Sequence, residues 1–367
     1  MDAPVKVLIV DDSVVARGVI AKILRSNPEI SVVGFCQDGS EVVAAIERLG
    51  PDVITLDVEM PHLKGTTILK HVLSKCPIPV IMVSSMTREG AQITLDCLAL
   101  GALDFVLKPG LQPHTRTLSD YAEELLIKVY EAGHAFRSKR IRQNLSDSNA
   151  RISAAQTRLR KAPAAASTLA PRSQAILAIG ASTGGPSAVT SILEKLPAHS
   201  PPIVIAIHMP TSFTTLYTNR LSRSVKAIRV KLAEHGEVLC PGTAYIAPGG
   251  CHFQVHRRES LNVYVKLDKP LPSDLYRPSI DKLFSSVALA FGDASLACVL
   301  TGMGRDGANG TADIFTSGGY VLSQDEPSCA IYGMPKVVFE NGHSHRQISL
   351  QDFPQEIIHT LSQRFSS

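Results

Sequence analysis

Tryptophan is absent from the 367 residues, and aromatic side chains make up only 5% of them. The formal charge is only +4, from 37 basic and 33 acidic residues, and no basic tract is interleaved with aromatics. Nucleic acid is therefore not an expected partner, since such binding needs clustered cations and stacking rings. No apolar run reaches the roughly 18 residues needed to cross a bilayer, so membrane insertion is not expected. The first residues run straight into a strand-like segment without a signal-peptide pattern. The seven cysteines are scattered, with no C-x-x-C pair and no close Cys/His cluster, and read as reduced thiols. A cytoplasmic location is the expectation these features give.

What is present is an ordinary core-forming composition, 44% hydrophobic, in a chain long enough for two or three domains. Apolar or β-branched runs at 5–10, 30–35, 52–56, 78–83 and 103–107 are separated by helix-like stretches. That alternation predicts a five-stranded, doubly wound parallel sheet of flavodoxin-like form over residues 1–130. From about 131 to 172 Arg, Lys, Ser, Ala and Gln dominate, which predicts a flexible basic linker with helix five running into its start. A second α/β pattern, with a mostly parallel sheet, occupies 173–367. Its segment 227–267 is strand-rich with little helix, which predicts an antiparallel edge or hairpin layer.

In open parallel sheets, ligands gather beyond the carboxyl ends of the strands. The first sheet places Asp11-Asp12, Asp57, Ser84-Ser85 and Lys108 at such ends. Clustered carboxylates repel and need a cation, and hard oxygen ligands suit Mg²⁺. A cation there would shield an incoming phosphate and let Asp57 act as nucleophile, while a hydroxyl and an ammonium bind the phosphoryl oxygens.

In the second domain a strand ending at Gly180 runs into Gly-Ala-Ser182-Thr-Gly184, the G-x-S-x-G pattern of a serine on a sharp strand-to-helix turn. The next strand ends at His208. The strand 295–300 runs into a turn that carries Asp306, which can alternatively cap the following helix. Together they offer a nucleophile, a base and an orienting acid. The chain order Ser, His, Asp differs from the Ser, Asp/Glu, His order of α/β-hydrolases. His252 and His256 alternate with apolar residues on a strand and read as surface positions.

The segments VLIVDDS, LDVEMP, MVSS and GALDFVLKP resemble the receiver domains of two-component response regulators. The resemblance implies Asp57 as phosphoacceptor, Asp11, Asp12, Asp57 and the Glu59 carbonyl around Mg²⁺, and Ser84 and Lys108 as switch contacts. IGASTGGP, IHMP, YIAPGG, LTGMGRDG and YGMP together resemble the catalytic domain of chemotaxis methylesterases. That resemblance implies Ser182, His208 and Asp306 as the catalytic set, with Thr183 and Met303 beside the nucleophile near the oxyanion donors. It also implies hydrolysis of glutamate γ-methyl esters on methyl-accepting chemoreceptors, deamidation of receptor glutamines, a histidine kinase as phosphodonor, and no cofactor for the ester step. The receiver is expected to gate the esterase. The alternative is a methylesterase-like or non-catalytic output module in a two-component pathway outside chemotaxis.

Overall fold

The computed structural model describes residues 3–61, 63–85, 87–109, 117–150, 175–257, 262–271 and 273–365. The N-terminal sheet contains β1 (Val5–Val10), β2 (Ile30–Cys36), β3 (Val53–Asp57), β4 (Val80–Ser84) and β5 (Asp104–Leu107), in the order β2-β1-β3-β4-β5 and all parallel. The helices are α1 (Val14–Leu24), α2 (Val42–Leu49), α3 (Gly65–Lys75), α4 (Arg88–Leu100) and α5 (Leu118–Ala150). Successive side chains of a strand point to opposite faces. Hence Val7 and Ile9 of β1 pack with Ile20, Leu24, Tyr121 and Leu125 of α1 and α5. Leu8 and Val10 instead join Val42, Ile68, Leu69 and Leu95 of α2, α3 and α4.

The second domain is built on a seven-stranded sheet, order β14-β13-β12-β6-β7-β9-β8, with every described pairing parallel. Its strands are β6 (Ile176–Ala181), β7 (Ile203–Ile207), β8 (Arg229–Leu232), β9 (Thr243–Ile246), β12 (Ser295–Val299), β13 (Tyr320–Gln324) and β14 (Arg346–Ile348). A separate antiparallel hairpin consists of β10 (His252–Arg257) and β11 (Val263–Asp268). Helices α6 (Gly185–Leu193), α7 (Thr211–Ser224) and α11 (Phe353–Phe365) pack on one face, through Val189, Ile192, Phe213 and Ile357. On the other face lie α8 (Ile280–Phe291), α9 (Ala308–Thr316), α10 (Met334–Glu340) and the hairpin, through Phe284, Ile314, Val338 and Phe253.

One sequence expectation is corrected, and two helices have physical causes of their own. The expected hairpin layer exists only at 252–268; β8 and β9 are instead parallel edge strands of the main sheet. Helix α7 is Thr- and Ser-rich, hence a weak helix former. It is stabilised by Phe213, Tyr217 and Leu221, spaced four apart on one buried face. Helix α10 opens Met334-Pro335, and proline in a first turn loses no intrahelical bond. The remaining stretch of the expected linker, 151–172, lies outside the described residues.

The two domains touch. Phe105 of β5 stacks on Phe213 of α7, ring centroids 4.2 Å apart and planes 16° from parallel. The Ser187 hydroxyl donates to the Leu98 carbonyl at 3.2 Å, and Arg220 of α7 pairs with Asp96 of α4. Helix α5 continues beyond the N-terminal sheet. There Lys139 donates to the Cys329 carbonyl, and Arg142 pairs with Glu326 at 2.6 Å. One apolar cluster runs without a break from Leu95, Leu98 and Phe105 to Phe213 and Tyr217.

Candidate active and phosphoacceptor sites

At the first rim, β1 and β3 are neighbours, so their C-terminal carboxylates meet. Asp11, Asp12 and Asp57 each bring an oxygen within 4.8 Å of the others. Lys108, after β5, reaches back with Nζ 2.8 Å from Asp57 Oδ2 and 3.1 Å from Asp11 Oδ2. Burial pushes the Asp57 carboxyl above its ordinary pKa, and Lys108 offsets this only in part. Burial alone would lower the Lys108 pKa, but Asp57 and Asp11 outweigh it and raise it. Lys108 thus pairs with two of the three carboxylates. The donor set, all hard oxygens and short of positive charge, fits a small divalent cation. Ser84 is buried; its hydroxyl donates to the Ser85 carbonyl and accepts from Thr94 of α4 at 2.8 Å. The Glu59 carboxylate is turned away, accepting from Ser85 Oγ at 2.8 Å, which leaves its main-chain carbonyl for the role the resemblance gives it.

At the second rim, β6 lies between β7 and β12, and the chain leaves β6 towards β7 before returning to β12 on the other side. Crevices at such reversals are where open α/β sheets bind ligands. Ser182 follows β6 in a turn closed by Gly184 at φ 76°, a left-handed conformation that glycine adopts without strain. A Cβ on Gly302 would stand 2.8 Å from the Ser182 Cβ, so the Gly302 backbone lies directly against the serine. Met303 follows it in the chain.

His208 Nδ1 is 3.1 Å from Ser182 Oγ, and Nε2 is 2.8 Å from Asp306 Oδ2. An ionised carboxylate can only accept, so Nε2 carries the proton and Nδ1 presents its lone pair to the serine. Asp306 is 4% exposed and fully engaged. Besides His208 it accepts from Ile280 N at 2.7 Å, Asp281 N at 3.0 Å, Gly307 N at 3.1 Å and Ser279 Oγ at 3.1 Å. Burial acts to raise its pKa, but the bonds and charge of His208 and the backbone donors bring it below the ordinary value. The helix it caps is α8, distant in sequence, as well as the turn into α9. An anion at a helix N-terminus also gains from the helix dipole.

Sequence reasoning missed two sets of residues around this rim. Asp104 of β5 in the N-terminal domain accepts the Thr183 hydroxyl at 2.6 Å, across the domain boundary and one residue from Ser182. Lys128 of α5 lies 3.1 Å from the same carboxylate. An aspartate in the otherwise apolar strand Asp-Phe-Val-Leu was the available signal. His252 is 1% exposed rather than on the surface. Its Nε2 donates to Asp274 at 2.8 Å and its Nδ1 accepts from Ser279 N at 3.3 Å. It is buried because both ring nitrogens have partners that lie far away in sequence.

A five-stranded parallel sheet with a carboxylate rim, joined to a mostly parallel α/β domain with a serine, a histidine and an aspartate at its strand ends, is the class that this architecture and these side chains define. Residues 7–117 match the family model described as response regulator receiver domain, and residues 177–357 match CheB methylesterase. The chain is 42% identical over 363 residues to protein-glutamate methylesterase/protein-glutamine glutaminase 1 of Caulobacter vibrioides, covering 99% of each. It is 40% identical over 366 residues to a similarly named protein of Koribacter versatilis, covering 99% of this chain and 98% of that one. The crystal structure of the Thermotoga maritima CheB methylesterase catalytic domain matches 51% of this chain and 99% of its own, at 36% identity and a TM-score of 0.49. The chain belongs to the protein-glutamate methylesterase/protein-glutamine glutaminase family, and is a hydrolase regulated by phosphorylation. No described helix is long and apolar enough to cross a membrane.

Proposed function

We propose that Ser182, His208 and Asp306 hydrolyse glutamate γ-methyl esters on chemoreceptors, and deamidate receptor glutamines by the same route. The observation that carries this is the unbroken line of contacts from Ser182 Oγ through both nitrogens of His208 to a carboxylate held by α8. Ser182 Oγ attacks the ester carbonyl carbon as its proton passes to His208 Nδ1. The carbonyl oxygen becomes an oxyanion beside the backbone of Thr183 and the turn through Gly302 and Met303. Asp306 stabilises the imidazolium and keeps the ring in one tautomer. The proton then goes to the departing methoxide, giving methanol. Water attacks the acyl-enzyme, again losing a proton to His208, and releases the glutamate carboxylate. With glutamine, ammonia leaves instead.

A receiver at 1–130 and an esterase at 173–367, joined through 131–172, of which 131–150 continue helix α5, fit this scheme. At the receiver, Asp57 would accept phosphate from a histidine kinase, and Asp11, Asp12, Asp57 and the Glu59 carbonyl would hold Mg²⁺, whose charge shields the phosphate from the carboxylates. Ser84 and Lys108 would bind the phosphoryl oxygens. The unphosphorylated receiver inhibits by sitting on the rim: the bond between Asp104 and Thr183 and the stack of Phe105 on Phe213 obstruct a large polypeptide substrate. Phosphorylation shifts the population towards an open arrangement.

The test is methanol release from methylated receptor membranes, with and without acetyl phosphate. Release that rises with the phosphodonor, and falls at least about a thousandfold in Ser182→Ala, is expected. Normal turnover by Ser182→Ala would overturn the assignment.

A further inference from the structure

The edges of the His208 ring are held by Ser182 and Asp306, and its face is covered by a residue from a different part of the chain. Tyr276 lies on the loop between β11 and α8, with its ring parallel to the imidazole: centroids 4.5 Å apart, planes 7° from parallel. The loop is firmly anchored. Asp274 accepts from Leu271 N at 2.7 Å, from Lys282 Nζ at 2.9 Å and from His252 at 2.8 Å. At the loop's end Ser279 donates to Asp306. The Tyr276 hydroxyl sits against Gly304, where a Cβ would stand 2.7 Å from it. Tyr276 is therefore fixed at both ends of its own segment and presents only its ring face to His208.

An aromatic face carries negative potential and attracts a cation within about 6 Å of its centroid. In the mechanism above, His208 is neutral before each half-reaction and cationic within it. A group that favours the cation over the neutral ring stabilises the transition state more than the ground state. We propose that Tyr276 is a positioning residue for acyl transfer, fixing the plane of His208 and favouring the imidazolium formed when Ser182 gives up its proton. This inference rests on the assignment of Ser182, His208 and Asp306. Tyr276 acts through His208 and not on the ester itself.

The other groups facing this ring are Ser182 from the β6–α6 turn and Asp306 from the β12–α9 turn. Asp281 at the start of α8 acts on both Asp306 and Tyr276 through its charge. From the receiver, Asp104 reaches Thr183 while paired with Lys128. All of these groups are kept in a Tyr276 variant, so the phenylalanine variant, which keeps the ring face, separates the stack from them.

The experiment uses full-length protein with acetyl phosphate and methylated receptor membranes. Tyr276→Leu is expected to lower kcat about tenfold with KM within about twofold. The acid limb of its kcat/KM profile should move to lower pH by about half a unit. Tyr276→Phe, which keeps the ring face, should restore both. An unmoved acid limb in the leucine variant, or a phenylalanine variant as slow as the leucine one, would overturn the role of Tyr276. Turnover surviving in Ser182→Ala would instead sink the triad on which it rests.

Discussion

Both rims of this molecule place a buried aspartate at the carboxyl end of a parallel sheet, but the two aspartates live in opposite surroundings. Asp57 has Lys108 and the Glu59 N–H as donors and two further carboxylates for neighbours, and its pKa is raised. Asp306 accepts from His208, Ser279 and three backbone N–H groups, and its pKa is lowered. Fixed donors decide the difference. A carboxylate saturated by them is held in place and serves to orient a neighbour. A carboxylate short of them keeps oxygen lone pairs free for a cation and for a phosphoryl group.

The sharpest way to break this comparison is Asp306→Asn. The amide keeps the shape but presents a donor to Nε2, which disfavours the productive tautomer, and turnover should fall by about three to four orders of magnitude. A loss of less than about tenfold in a methanol-release assay would mean that Asp306 is only a helix cap.

A smaller effect is expected where the two regions meet. Phe105→Leu removes an interdomain ring pair worth about 0.5–1.5 kcal/mol. Without phosphodonor, turnover should then rise about two- to tenfold, as the closed population falls. A drop in basal turnover would show that the packed receiver supports the esterase instead of covering it. Asp96→Asn removes the pair with Arg220, whose side chains are 45% and 39% exposed. Exposed pairs contribute about 0–1 kcal/mol, so basal turnover should rise about fivefold at most, and less at high salt.

The smallest effect concerns stability. Because the Asp306 pKa is lower in the folded chain than in the unfolded one, the unfolded chain binds more protons as acid is added. Its contribution is fully present above the ordinary carboxylate range, about 4, and is lost as pH falls through the folded value. Thermal melts below about pH 4 should therefore converge between the parent and Asp306→Asn. Melting curves that keep the same separation from pH 7 to pH 3 would place the depressed pKa elsewhere.

Much of both rims was legible because strand ends can be read locally. The runs ending at Val10, Leu56, Ala181, Ile207 and Leu300 are apolar and β-rich, and each is followed directly by a polar residue. Helix α7 was not legible, since its Thr- and Ser-rich sequence becomes helical only when Phe213 and Tyr217 find the sheet and the receiver. His252 looked like a surface residue because its partners Asp274 and Ser279 lie 22 and 27 positions away. Tyr276 left no local signal at all, for a ring stack depends on two loops meeting.

The sequence by itself determined which residue types stand at which strand ends, because alternation and turn chemistry act over a few neighbours. Only the tertiary structure decided that β6 lies between β7 and β12, that Asp306 caps α8, that Tyr276 covers His208, and that Asp104 of one domain takes the hydroxyl beside the serine of the other. Those arrangements come from strand order and from packing between segments as much as 119 residues apart, as where Ser295 pairs with Ile176, and no local pattern encodes distances across a fold.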